Sequence, residues 1–223
     1  MRITNLIPNC KSVPRALRLG AALLLAFAVG GALPLHGQAT YGAYSIGVFR
    51  QNLPGYAPYA VWIVDSNGSH AWEGTDSANW FGLNGDIPVM GDWNFTGTRG
   101  LGVFRSGYWY VDTNNDGVWS PGNPTTDDQV FSFGLPGDQP FTINSSADNF
   151  LHLAVFRQST DPNSGTVQGL VIVDPTQCNC WSALSQVSTI YNSQLGDLPV
   201  MVNPDGQGGR LAFYRPSWRW LFQ

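Results

Sequence analysis

Asp112-Thr113-Asn114-Asn115-Asp116-Gly117 places side-chain oxygens on alternate residues and ends on a glycine. A loop with that spacing can wrap a hard cation such as calcium, which takes oxygen ligands and tolerates irregular geometry. An EF-hand would need a bidentate Glu at the twelfth position, where this chain has Asn123, so the loop is not an EF-hand. Asp127 or Asp128 is a more distant source of a carboxylate. The same six residues also meet the requirements of an Asx turn closed by glycine, which binds nothing. The sequence leaves both readings open. Two carboxylates are few for tight binding, so any calcium held here is expected to be weakly held. A second and weaker candidate is Asp92, Asn94 and Thr96, followed by Gly97. Related series stand at Asn144, Ser146 and Asp148, and at Asn203, Asp205, Gln207 and Gly208. Each has alternating oxygens but a single carboxylate.

Other groups offer less chemistry. Arg50, Arg105, Arg157 and Arg215 recur in phase and read as strand-end cations that pair with aspartates of neighbouring turns. The candidate partners are Asp86, Asp138 and Asp197; a ligand-binding ring of arginines is the alternative. Trp62, Trp109, Tyr110, Trp218 and Trp220 read mainly as core, with any exposed ring suited to stacking on a sugar. Cys178 and Cys180 form a disulfide candidate, a local Cys-x-Cys clip. His70 and His152 fall outside any Ser/His/Asp or metal pattern, and Asp127-Asp128 reads as a pair of exposed turn acids. No catalytic residue is assigned.

The elements that must position these groups are strands and turns. Residues 1–39 carry Arg2, Lys11, Arg15 and Arg18, then an apolar run, then Gly37-Gln38-Ala39. This reads as a secretory signal peptide cut after Ala39. Residues 40–223 then form one domain, secreted to an extracellular or periplasmic space, with no membrane span once the leader is cut. Seven basic residues remain, all Arg, against 15 acids, of which only Glu73 is Glu. Asp favours caps and turns, whereas Glu and Lys favour helices, so the composition is that of an all-β chain. The negative balance excludes a nucleic-acid partner, which selects Lys/Arg patches.

The chain repeats. Val48-Phe49-Arg50 returns as Val103-Phe104-Arg105, Val155-Phe156-Arg157 and, more loosely, Phe213-Tyr214-Arg215. Gly85-Asp86-Ile87-Pro88 returns as Gly137-Asp138-Gln139-Pro140 and Gly196-Asp197-Leu198-Pro199. Phe81-Gly82 returns as Phe133-Gly134 and is replaced by Asn192-Ser193 in the third copy. Each unit reads as four short strands, typified by residues 101–105, 108–112, 129–133 and 139–143. The expected fold is a propeller-like array of about three and a half four-stranded repeats.

Phe-Gly, Gly-Asp-x-Pro, Gly91-Asp92-Trp93-Asn94 and Gly102-Val103-Phe104-Arg105, in that order, resemble the FG-GAP/VCBS-type repeats of bacterial secreted proteins. These are similar to the blades of the integrin alpha-subunit propeller. The resemblance covers residues 41–223 and is best over residues 80–116. It implies an extracellular propeller-like array, calcium cradled in the loop after Gly-Asp-x-Pro, and adhesion or binding as the role. Four Val-Phe-Arg-type strands but three Gly-Asp-x-Pro turns depart from a whole number of blades. Whether the ring closes by a shared blade, stays open or oligomerises is left undecided. The expected function is a non-catalytic binding or structural module that displays loops to a glycan or an extracellular protein. The alternative is a propeller-type glycoside hydrolase or lyase.

Overall fold

The computed structural model describes residues 47–223 apart from 68, 70, 95–98, 124–126, 145–150, 175–184, 191, 203–209, 217–219 and 223. The expected leader, Thr96, Cys178, Cys180, His70 and Trp218 therefore lie outside the described residues, as do Ser146, Asp148 and the whole Asn203 series.

The described elements are all strands. They fall into four antiparallel sheets, each a meander of consecutive strands. The first holds β1 (Gly47–Arg50), β2 (Val61–Val64) and β3 (Ser77–Asn79). The second holds β4 (Ile87–Gly91), β5 (Gly100–Arg105), β6 (Tyr108–Val111) and β7 (Gln129–Ser132). The third holds β8 (Gln139–Asn144), β9 (Leu151–Thr160), β10 (Val167–Val173) and β11 (Gln186–Ile190). The fourth holds β12 (Leu198–Val202), β13 (Arg210–Tyr214) and β14 (Trp220–Phe222).

The four-strand unit is present, but its phase differs by one strand from the spacing-based expectation. Residues 139–143 do not close the unit that starts at residue 101. They begin the next sheet, with β8 pairing β9 in the register Gln139↔Phe156. The turn is the cause. Gly137 takes φ 91°, a left-handed geometry that glycine adopts without strain and that turns the chain out of the second sheet. Asp138 then ties the turn forward, to Arg157 at 2.8 Å on β9. The strand after each Gly-Asp turn thus joins the strand ahead of it.

The β-branched and aromatic runs form strands because each can bury faces against a neighbouring sheet. Trp62 and Phe81 of the first sheet pack with Leu101 and Val103 of the second. Phe104, Trp109, Val111 and Phe133 of the second pack with Leu153, Val155 and Ile172 of the third. Phe141, Phe156, Val171 and Ile190 of the third pack with Phe213 of the fourth. Each fully buried large side chain contributes roughly 1.5–3 kcal/mol. The opening strands β4, β8 and β12 lie side by side, and Thr142 Oγ1 of β8 donates to the Met90 carbonyl of β4 at 2.9 Å. The described residues contain no helix long and apolar enough to cross a membrane.

Candidate functional site

Two sets of aspartates organise each unit, one at either end of the strands. The first comprises the Gly-Asp-x-Pro turns. Asp86, Asp138 and Asp197 are each 2% exposed. Arg105 meets Asp86 through Nε at 2.6 Å and Nη2 at 2.7 Å. Arg157 meets Asp138 at 2.8 Å through both atoms. Arg215 meets Asp197 at 2.7 and 2.8 Å. The same carboxylates accept the backbone N–H of Leu83, Leu135 and Gln194, closing the turn on itself. Bidentate pairing of this kind is directional and charge-assisted. The bonds to aspartate raise the arginine pKa values against the opposing effect of burial. Burial pushes Asp197 up, but the bonds from Arg215 and the Gln194 amide, with the Arg215 charge, outweigh it and hold the carboxyl low. Arg50 is the exception: it makes no ion pair among the described residues.

The second set lies at the other end, where β2, β6 and β10 run out. Asp65, Asp112 and Asp174 follow β2, β6 and β10 directly and are 8%, 1% and 0% exposed. Asp112 Oδ1 accepts the Asp116 amide at 3.2 Å and Oδ2 accepts the Gly117 amide at 2.8 Å. Asn114 Oδ1 accepts the Asp116 amide at 3.0 Å, and Asp116 Oδ1 accepts the Val118 amide at 2.8 Å. The loop after β2 repeats the motif: Ser69 N–H bonds Asp65 Oδ1 at 3.2 Å and Asn67 Oδ1 at 2.8 Å. Asp128 is 3% exposed and accepts the amides of Thr113 and Ser120, so it is a buried brace and not the exposed turn acid expected from its neighbourhood. Burial pushes the Asp112 carboxyl up; the Gly117 amide opposes this and the charges of Asp128 and Asp116 add to it. Burial also pushes Asp128 up, against the amides of Ser120 and Thr113 and with the charges of Asp116 and Asp127.

Of the candidate oxygen ligands, Asp112, Asn114 and Asp116 sit on one loop, and Asn94 is brought to it, with Nδ2 donating to the Thr113 carbonyl at 2.9 Å. Asp92 is half-buried. Among the described residues no group of three or more His, Cys, Asp or Glu side chains is arranged to hold a metal ion. A cleft of about 280 Å³ opens between the first two sheets, lined by Ser77 and Asn79 on one wall and Asp112, Asn115 and Asp116 on the other. Arg99 lines it too, exposed and without an ion pair among the described residues.

The aromatic residues divide between core and surface. Trp62 and Trp109 are core, at 5% and 0% exposure. Tyr110 is half-buried, edge-on to Trp119 and 4.6 Å beneath the Arg105 guanidinium. The rings left in solvent, Trp72 at 62% and Tyr108 at 48% exposure among them, were not among the expected ones. Tyr56 and Trp80 stack at 4.9 Å with 27° between their planes, yet are 56% and 45% exposed. Tyr59, also 56% exposed, follows on the same turn, its N–H bonded to the Tyr56 carbonyl. His152 is buried, with Nδ1 2.8 Å from the Asp174 carbonyl.

The buried aspartates after β2, β6 and β10 did leave a signal in the sequence. Trp62-Ile63-Val64-Asp65, Trp109-Tyr110-Val111-Asp112 and Val171-Ile172-Val173-Asp174 form a fourth repeat marker. Comparison with protein-family models, curated proteins and solved structures gives no match to this chain.

Proposed function

We propose that the chain is a secreted, non-catalytic binding module, its four sheets the blades of a propeller-like array of FG-GAP/VCBS type, and that it recognises a glycan. The side-by-side placement of β4, β8 and β12 supports the radial arrangement. The observation that carries the binding reading is the stacked, solvent-facing Tyr56–Trp80 pair with Tyr59 beside it. The fold buries Trp62, Trp93 and Trp109, so leaving these rings in water is costly unless something covers them. Flat apolar ring faces with polar edges suit the C–H faces of pyranose rings. Binding to a panel of polysaccharides, measured by calorimetry, tests this. Trp80→Ala should weaken the interaction about fivefold or more, near 1 kcal/mol for one lost stack. A panel that shows no binding, or binding indifferent to Trp80→Ala and Tyr56→Ala, removes the reading. A hydrolysis assay on any bound sugar separates it from the glycoside hydrolase or lyase alternative.

Weak calcium binding at Asp112, Asn114 and Asp116 is the second reading, supported by the gathering of Asp112, Asp116 and Asp128, where burial raises the Asp112 carboxyl and the charges of Asp128 and Asp116 raise it further. The fit is partial, because both oxygens of Asp112 already face backbone amides. Calcium, in place of chelator, should raise the melting temperature of the native chain, and Asp116→Ala should remove the response. An unchanged melting temperature at millimolar calcium leaves these loops as turns alone.

A further inference from the structure

Three of the sheets show what the first lacks. In each, the strand that carries the repeat aromatic residue is paired on its far side by a strand opening with x-Pro, in the registers Ile87↔Phe104, Gln139↔Phe156 and Leu198↔Tyr214. The strands β5, β9 and β13 are therefore interior, and Val103, Phe104, Val155, Phe156 and Phe213 are at most 2% exposed. Within the described residues β1 pairs only with β2, and its Val48 is 50% exposed. An apolar strand with an open edge is a template for another strand.

A matching strand is written upstream in the sequence. Gly31-Ala32-Leu33-Pro34 keeps the Gly and the Pro of Gly-Asp-x-Pro. In the registers above, x precedes its aromatic partner by 17 (87 to 104), 17 (139 to 156) and 16 (198 to 214) residues. Leu33 precedes Phe49 by 16 (33 to 49). Leu33-Pro34-Leu35-His36-Gly37 then reads against Ile87-Pro88-Val89-Met90-Gly91, where Val89 is 6% exposed and Met90 36%. Strand alternation assigns Leu35 inward and His36 outward. A proline is tolerated on an outermost strand because its missing N–H faces away from the ladder. Pro88, Pro140 and Pro199 occupy that place, each the second residue of an edge strand. Ala32 stands in the sequence where Asp86, Asp138 and Asp197 stand, which accounts for Arg50 having no such partner among the described residues.

We propose that residues 33–37 form the missing strand of the first sheet, antiparallel to β1 with Leu33 opposite Phe49, and that export leaves them on the chain. A cut after Ala39 would remove the strand. Ala26-Phe27-Ala28 offers small residues three and one before a cut after Ala28, which keeps it. The inference is independent of the glycan reading.

The test uses the complete chain exported by a bacterial host, followed by intact mass and hydrogen exchange. The expected product begins upstream of Leu33, is monomeric, and protects those amides of Gly47–Arg50 that do not bond β2 by about 100-fold or more. Leu35→Asp should abolish that protection and lower the melting temperature by about 5 °C or more, while His36→Asp should change neither. A mature N-terminus at Thr40, or a retained segment with fast exchange along β1, overturns the proposal. So does protection that rises with protein concentration alongside dimer formation, which would make a second copy the occupant. If Leu35→Asp does not fold, the mass and exchange of the wild-type chain decide the matter.

Discussion

Replacing Asp138 with Ala removes three interactions at once: two charge-assisted bonds from Arg157, both 2.8 Å, and the 2.7 Å bond from the Leu135 amide. Breaking a buried ion pair by deleting one partner costs about 3–5 kcal/mol. That range must be discounted here, because the Arg157 side chain is 29% exposed and regains water when freed. The Leu135 amide, bound beneath a carboxylate that is 2% exposed, adds about 1–3 kcal/mol if left without an acceptor. A net loss of about 3 kcal/mol follows, and for a domain of this size about 2–4 °C per kcal/mol gives a fall of roughly 6–12 °C in melting temperature. Asp138→Asn keeps one acceptor for Leu135 and should lose about half as much. Arg157→Ala leaves the Leu135 bond in place and should also cost less than Asp138→Ala. The assay is reversible thermal unfolding followed by near-UV circular dichroism, completed as a double-mutant cycle with Arg157→Ala. A coupling of about 1.5–3 kcal/mol is expected for hydrogen bonds to a charged group. Coupling indistinguishable from zero, or a fall under about 2 °C for Asp138→Ala, would refute the view that this pair fastens one sheet's opening turn to its second strand.

Two further predictions separate burial from bonding. Trp109 donates from Nε1 to the Phe133 carbonyl at 2.7 Å, whereas Trp62, at the equivalent register, has a buried Nε1 with no hydrogen-bond partner. Replacing each with Phe removes the same volume, so Trp109→Phe should destabilise by about 1–2 kcal/mol more than Trp62→Phe, read from urea midpoints. Equal losses would show that the indole bond contributes nothing. Asp112 and Asp128 have pKa values raised above 3.8, so the folded state holds their protons more tightly than the unfolded chain does. Their contribution to stability is present below 3.8 and is lost as pH rises through the folded values. Asp197 runs the other way, losing its contribution as pH falls through its lowered value. In chelator, the melting temperature of the wild type relative to Asp112→Asn should therefore be highest near pH 4 and decline toward pH 7. A difference that grows with pH contradicts the assignment.

Much of this organisation is legible in the residues. Short aromatic runs between Gly and Asp announce strands and turns, and the spacing of Arg105 from Asp86, repeated at Arg157 and Asp138, makes the pairing readable. The phase of the unit is not. Spacing along the chain cannot say whether residues 139–143 pair backward or forward, because that depends on the Gly137 dihedral and the direction in which Asp138 is tied. The buried braces were hidden for a different reason. Asp76, half-buried, takes the Ser66 amide at 3.1 Å as Asp128 takes that of Thr113, but it follows Asp65 more closely than Asp128 follows Asp112, so no constant spacing marks the loop they close. Asp127 and Asp128 look alike in sequence, yet Asp128 is buried under β6–β7 while Asp127 caps the Asn123 amide at 2.6 Å. Nor does composition reveal which rings stay outside. Trp80 and Phe81 are adjacent just past β3, yet Phe81 is 1% exposed and Trp80 45%.

The preference for Asp over Glu has a mechanical basis that can be tested. An Asp carboxylate is one methylene from its own Cα–Cβ bond, short enough to accept amides two to five residues ahead, as Asp112 does from Asp116 and Gly117 and Asp116 does from Val118. A Glu at the same place carries its oxygens past those amides, and at a position 1% exposed it has no room to fold back. The only Glu in the described residues, Glu73, is exposed and accepts from the Asn67 side chain at 3.1 Å, where length is not critical. Asp112→Glu keeps the charge, so a purely electrostatic role would leave stability nearly unchanged. If amide capping is the role, the substitution leaves the buried Gly117 amide without its acceptor, while the Asp116 amide keeps Asn114 Oδ1, and should cost about 1–3 kcal/mol. Glu73→Asp should cost no more than about 0.5 kcal/mol, because the Glu73 side chain is exposed and the bond from its backbone amide to Asp76 does not involve it. Chemical denaturation of both variants decides between the two accounts. Equal, small effects would mean that the aspartates are retained for charge, and the capping geometry at Asp65, Asp112 and Asp128 would then be incidental to the stability of the fold.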